Sequence, residues 1–282
     1  MTNGIFPSVN RIVTIGDLHG DFEALIICLQ KANVINDKYE WTGGNTWVVQ
    51  LGDIVDGRNR IGNWKADDEL KILSFLENLD EKAKKFRGKI VFILGNHEIM
   101  NTFGNFSYAS STAIKKMGGV QARRKLFEVG KGRIANFYSK KCFAVAKIGS
   151  WIFCHGGIIP SISSAYQIPQ LNKIMKDYLN GKMNDEQVDK FYDLFFGNNG
   201  VLTYRGYGNV RPNCNFVYST LKNLDGGYLV IGHTPQDYIN SKCNKKLWRV
   251  DTGMSQAFGK KNISRIQCLE INNDGQSINI IK

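Results

Sequence analysis

The sequence predicts an α/β fold whose chemistry sits in loops at the carboxyl ends of parallel strands, and three observations lead there. Short apolar runs over residues 11–15, 46–51 and 89–94 read as strands, with stretches of helical period between them. Each run passes into a glycine followed by Asp or Asn: Gly16-Asp17, Gly52-Asp53 and Gly95-Asn96. All four histidines of the chain, His19, His97, His155 and His233, stand within a few residues of the end of an apolar run.

The elements follow in order. Asp21 caps a helix whose apolar positions Phe22, Leu25, Ile26 and Leu29 keep helical spacing and which stops at Asn33. Residues 37–45 are polar and turn-like around Gly43-Gly44, and they return the chain to the strand over 46–51. Leu70, Leu73, Phe75, Leu76 and Leu79 mark a long amphipathic helix over 67–86. This β-α-β-α-β opening implies parallel strands joined by right-handed crossovers.

Residues 99–132 break that rhythm, with glycines at 104, 118 and 119 and a helix expected over 120–129, and they read as an insertion beside the site. Residues 142–147 and 151–154 read as an antiparallel pair turned at Gly149-Ser150, the second strand ending in His155-Gly156-Gly157. A second, mainly helical insertion covers 161–196, marked by Leu171, Ile174, Met175 and Tyr178, then Val188, Phe191, Leu194 and Phe195. After a basic loop, Tyr204-Arg205-Gly206-Tyr207, a strand over 228–231 runs into Gly232-His233-Thr234-Pro235, and another over 247–250 into Asp251-Thr252-Gly253. Residues 265–271 and 277–281 form a terminal hairpin. The organisation expected is one elaborated domain over 1–282.

The bulk composition narrows the partners. A net charge of +12 points to anionic ligands, yet the basic clusters, Arg123-Arg124-Lys125 among them, are dispersed and lack interleaved aromatics. They read as solvated faces, which makes nucleic acid an unlikely partner. The six widely spaced cysteines, without a C-x-x-C pair, read as buried thiols in a reducing compartment. No run approaches a membrane span and no leader pattern opens the sequence, so a cytoplasmic protein without a membrane partner is expected.

Taken singly, each Asp above suits a helix cap or turn, and a lone His is most often structural. Taken together, Asp17, His19, Asp53, Asn96, His97, His155 and His233 form a mixed oxygen and imidazole set placed at five strand ends. Such a set suits manganese, iron or zinc, and seven candidates are too many for one ion. Two divalent ions roughly 3.5–4 Å apart would share a carboxylate, for which Asp53 is the choice, and would bring a nucleophile and a phosphoryl group together.

Gly16-Asp17-Leu18-His19-Gly20, Gly52-Asp53-Ile54-Val55-Asp56-Gly57, Gly95-Asn96-His97-Glu98, His155-Gly156-Gly157 and Gly232-His233-Thr234 resemble the calcineurin-like metallophosphoesterases, phosphoprotein phosphatase branch, over residues 11 to about 255. Residues 202–207 and 250–255 are similar to the Shewanella-like phosphatases within that branch. The resemblance implies two mixed β-sheets packed as a sandwich, flanked by helices. It implies that Asp17 and His19 hold one ion, that Asn96, His155 and His233 hold the other, and that Asp53 bridges. It further implies that His97 protonates the leaving oxygen while Asp56 orients its imidazole, and that Arg205, Arg58 and Asn96 contact substrate.

In the family pattern an arginine directly follows the second Asp, whereas here Gly57 intervenes before Arg58. Glu98 reads as a local hydrogen-bond partner, and Tyr204 and Tyr207 as packing beneath their loop. The expected activity is hydrolysis of phosphotyrosine, phosphoserine or phosphothreonine in proteins by a metal-bridging hydroxide. A dinucleoside polyphosphate hydrolase of the diadenosine tetraphosphate type is the alternative with the same site. A catalytically silent module that binds phosphorylated ligands or nucleic acid is the alternative without activity, and retention of every ligand together with His97 and Asp56 argues against it.

Overall fold

A computed structural model describes residues 3–58 and 66–282. The elements run β1 (Ile5–Phe6), β2 (Arg11–Ile15), α1 (Phe22–Lys31), β3 (Trp47–Gln50), α2 (Glu69–Lys84), β4 (Lys89–Ile93), α3 (Asn96–Thr102), α4 (Ser111–Lys116), α5 (Val120–Phe127) and α6 (Arg133–Lys141). There follow β5 (Cys142–Phe143), β6 (Val145–Ile148), β7 (Trp151–Cys154), α7 (Pro160–Ala165), α8 (Ile168–Leu179), α9 (Asp185–Phe196) and α10 (Cys214–Asn223). The chain ends with β8 (Tyr228–Ile231), β9 (Asn240–Lys242), β10 (Leu247–Arg249), β11 (Cys268–Asn272) and β12 (Ser277–Ile281).

Among the described residues the strands form two six-stranded sheets, ordered β12-β11-β2-β3-β4-β5 and β1-β6-β7-β8-β10-β9. Both are mixed: β2 to β5 are parallel and the terminal hairpin joins them antiparallel, while β7, β8 and β10 are parallel with antiparallel neighbours β6 and β9. Alternation along the strands assigns the faces. Ile12, Val49, Val91 and Phe143 of one sheet pack with Ile148, Phe153, Val230 and Trp248 of the other, whereas Val13, Val48 and Ile90 turn to Leu25 and Leu29 of α1 and Ile72 and Leu76 of α2. The result is a sandwich with helices on its outer faces, in which residues 99–132 carry the end of α3 with α4 and α5, and residues 161–196 carry most of α7 with α8 and α9. Asp21 caps α1 as its sequence position requires, accepting from the Ala24 N–H at 3.0 Å. No helix among the described residues is long and apolar enough to cross a membrane.

Two expectations are corrected. The run over 142–147 is not one strand: Cys142–Phe143 pairs with β4, and after Ala144 the chain crosses to the other sheet, where Val145–Ile148 pairs with β7. The sequence is apolar on both sides of the crossing and so hides it. Asn172 of α8 supplies the missing backbone partner there, accepting from the Ala144 and Val145 N–H groups at 2.8 and 3.1 Å. The expectation of six thiols also fails, because Cys214 and Cys243 are joined by a disulfide while Cys28, Cys142, Cys154 and Cys268 are buried and free. These two lie in polar surroundings, Pro-Asn-Cys-Asn and Ser-Lys-Cys-Asn, unlike the four in apolar runs. Cysteine usage therefore gives no argument for a reducing compartment.

Candidate metal centre and its cavity

The carboxyl ends of six parallel strands share one rim. Asp17 and His19 follow β2, Asp53 and Asp56 follow β3, Asn96 and His97 open α3 after β4, His155 follows β7, His233 follows β8 and Asp251 follows β10. Parallel strands place their outgoing loops on one edge, which is why residues more than 200 positions apart meet.

Asp53 is the centre of the cluster. Its Oδ2 lies 3.2 Å from His155 Nε2, 3.7 Å from His19 Nε2 and 3.9 Å from His97 Nε2. Its Oδ1 accepts from the His97 backbone N–H at 3.0 Å. The outward nitrogens are held in place: His155 Nδ1 faces Leu51 O at 2.8 Å and His19 Nδ1 faces Val55 O at 3.1 Å, so each Nδ1–H donates to a carbonyl and each Nε2 turns inward. His233 is the reverse, with Nε2 3.2 Å from Thr203 O, which leaves its Nδ1 lone pair uncommitted to that contact. Burial, then the charges at His155 and Arg205, lower His233 to about 3, so it is a neutral imidazole.

This geometry fits divalent cations. His155 Nε2, Asn96 Oδ1 at 3.1 Å and Asp53 Oδ2 at 3.2 Å face one another as lone-pair donors, and either a proton or a cation must lie among them. Without a cation the proton takes that role: burial would lower His155, but Asp53 and Asp17 outweigh it and raise the imidazole to about 10. Asp53 is opposed by burial yet held well below the usual carboxylate range by His155 and His97. Asp17 is pushed well up by burial and by Asp251, and among the described residues Asp251 Oδ2 has no hydrogen-bond partner. Two triads, His19–Asp53–His97 and Asp53–His155–His233, each bring one donor atom per residue within 4.8 Å of the others.

Above the cluster opens a cavity of about 470 Å³, lined by His19, Asp53, Asn96, His97, Arg205 and His233 and walled by Met100, Tyr108, Pro235 and Phe258. Asp17 and His155 lie buried behind it. Arg205 is exposed on the cavity side, and its guanidinium donates to His233 O at 3.1 Å. His97 Nδ1 is 2.8 Å from Asp56 Oδ2, so the expected pair is present.

Arg58 is placed differently. It is exposed, donates to Ser107 O at 2.8 Å, and is not among the described residues lining the cavity. Gly57 explains the altered order, since a Cβ there would run into Ala66 O and His19 O, leaving no room for an arginine directly after Asp56. Glu98 accepts from the Asp53, Ile54, Val55 and Gly95 N–H groups, at 2.8 to 3.2 Å, as a local hydrogen-bond partner. Tyr207 packs beneath the Arg205 loop, donating to Ile158 O at 2.9 Å, with Tyr204 against it.

Sequence reasoning missed several residues. The Arg123-Arg124-Lys125 cluster does not form a wholly solvated face, because Arg123 is 0% exposed and ion-paired to Asp56 and Glu69 at 2.9 and 2.7 Å. The signal was its spacing: Arg123 lies four residues before buried Phe127, on the apolar face of α5. For Tyr108 and Phe258, no pattern in the sequence marked them as cavity walls.

Fold and donor set together define a metal-dependent phosphoesterase site. The chain belongs to the calcineurin-like phosphoesterases, whose family model matches residues 10–237, and it is a metal-dependent phosphatase. Within that family it is 30% identical to Shewanella-like protein phosphatase 2 of Arabidopsis thaliana, over 89% of this chain and 73% of that protein. It is also 30% identical to Shewanella-like protein phosphatase 1 of Plasmodium berghei, over 87% of this chain and 67% of that one. A cold-active protein-tyrosine phosphatase of a psychrophilic Shewanella species shares the fold, with a TM-score of 0.82 at 22% identity over 100% of this chain and 83% of that one.

Proposed function

We propose that the chain is a protein phosphatase that hydrolyses phosphotyrosine, phosphoserine or phosphothreonine with two divalent ions bound below the cavity. The observation that carries this reading is the single oxygen Asp53 Oδ2, faced by the Nε2 atoms of His19, His97 and His155 within 3.9 Å on the floor of an open cavity. Asp17, His19 and Asp53 would hold one ion, and Asp53, Asn96, His155 and His233 the other. Manganese, iron or zinc all suit this mixed oxygen and nitrogen set. When bound, such ions supply charge neutralisation at the phosphoryl group and a nucleophile at neutral pH.

The chain's own residues do the rest. Arg205 sets a cation on the cavity wall, where it can bind the phosphate oxygens, and Asn96 adds an amide beside them. Arg58 donates to Ser107 O and is outside the described cavity lining, so it is not assigned the second clamp. His97 gives its Nε2 proton to the departing alcohol or phenol while Nδ1–H stays on Asp56. The names of the two 30% identical relatives support a phosphoprotein substrate.

Phosphate release by the manganese-loaded protein tests the reading, with phosphotyrosine and phosphoserine peptides as substrates, diadenosine tetraphosphate coupled to alkaline phosphatase as the competitor, and Asp53→Asn as the blank. Peptide turnover abolished by that substitution is the expected result. Turnover of the nucleotide alone moves the assignment to polyphosphate hydrolysis, and no turnover above the blank leaves a phospho-ligand binding module.

A further inference from the structure

Beyond Asp56, the buried side of His97 is enclosed by residues that the proposed reaction does not use. Arg123 of α5 is 0% exposed, and all three of its nitrogens are engaged: Nε donates to Asn101 Oδ1 at 2.8 Å, Nη1 to Glu69 Oε2 at 2.7 Å and Nη2 to Asp56 Oδ1 at 2.9 Å. Each partner leads back to His97. Asp56 Oδ2 lies 2.8 Å from its Nδ1, Asn101 donates to its backbone carbonyl at 2.8 Å, and Glu69 Oε1 accepts from the Asp56 N–H at 2.9 Å. The rings of Phe106 and Phe127 lie 5.5 and 5.2 Å from the guanidinium carbon and exclude water.

A buried cation is tolerated only with its donors matched, and a planar guanidinium fixes the plane of a carboxylate as a flexible ammonium does not.

We propose that Arg123 is a positioning residue: the guanidinium that joins Asp56, Glu69 and Asn101 aims the His97 imidazole at the leaving oxygen and so ties the insertion bearing α5 to proton transfer. The proposal rests on His97 being the acid of the proposed reaction. Arg123 touches neither substrate nor metal. Its loss should therefore be felt in proportion to how much the leaving group needs a proton.

The test is kcat and KM of the manganese-loaded protein on aryl phosphates running from p-nitrophenyl to phenyl phosphate and on a phosphoserine peptide, for Arg123→Met, Arg123→Lys and the reference His97→Ala. For Arg123→Met we expect kcat to fall about 100-fold on the peptide and phenyl phosphate but less than about threefold on p-nitrophenyl phosphate, with KM unchanged. Arg123→Lys should recover about tenfold of the loss, since it keeps the charge without the fork. In the metal-free protein, the downfield proton resonance of His97 Nδ1–H should move or broaden in Arg123→Met.

A loss equal for all leaving groups, or an unmoved resonance, overturns the proposal. Should Arg123→Met fail to fold, Arg123→Lys decides by the same two readouts. If His97→Ala itself shows no dependence on the leaving group, the role given to His97 fails. If it does and the Arg123 variants do not, only the Arg123 inference fails.

Discussion

At the scale of single residues, the site is built on strained backbone. His19, Asp53, Asp56 and His233 have φ of 41°, 50°, 68° and 65°, a region costly for residues with a Cβ and held only where the surroundings over-determine it. The surroundings do so: the His233 N–H donates to Asp17, the Asp56 N–H to Glu69 and the Asp53 N–H to Glu98. The imidazoles that face Asp53 differ in what holds their other nitrogen, and the proposed roles of ligand and acid are separated by metal content rather than by that contact. His155 Nδ1 rests on the neutral Leu51 carbonyl, whereas His97 Nδ1 rests on the Asp56 carboxylate. His155→Ala should lose bound metal after gel filtration, while His97→Ala keeps the wild-type content and drops kcat roughly 10²–10⁴-fold. Equal loss of metal in both variants would make His97 a ligand. These residues were legible because Asp, Asn and His after apolar runs are rare enough to be noticed as a set. Arg123 was not, because one residue of a basic triplet turns inward and only its phase relative to Phe127 records it.

At the scale of elements, the loop after β3 is stapled to the start of α3 by one side chain. Glu98 takes the N–H groups of Asp53, Ile54, Val55 and Gly95, and it holds Asp53 against the first turn of the helix that carries Asn96 and His97. Burial and the neighbouring Asp53 charge raise its carboxyl to about 7 against the pull of these donors. Glu98→Ala would leave four buried N–H groups unpaired at about 1–3 kcal/mol each, so its melting temperature should fall further than that of Glu98→Gln, whose amide oxygen still accepts from two of the four. Equal melting temperatures for the two variants would mean that the loop is held by something else. Elements with a strong period, such as α1, α2 and the strands of the opening, were readable in the sequence. Elements that depend on distant partners were not. β1 is two residues long and exists by pairing with β6, β9 by pairing with β10, and the break at Ala144 by the side chain of Asn172.

At the scale of the molecule, two sheets meet so that carboxylates from three different strands, Asp17, Asp53 and Asp251, are buried together with little cationic side chain among them. The net charge of +12 does not relieve this, since surface lysines are screened from a buried cluster. In the metal-free chain the cluster is balanced by raised protonation: Asp17 is pushed up by burial and Asp251, and Asp251 by burial to about 6. Cations that bind the folded but not the unfolded chain stabilise it by about 2.7 kcal/mol at a hundredfold excess over their dissociation constant. For a chain longer than 250 residues, that corresponds to a rise in Tm of roughly 5 °C. Chelation should therefore lower Tm by about that amount and abolish phosphatase activity. In Asp53→Asn, where the shared carboxylate is gone and a repulsive charge with it, chelation should change Tm far less. A wild-type Tm indifferent to chelator and to added manganese or zinc would mean that protons alone satisfy the cluster, and the two-ion reading of the site would fall with it.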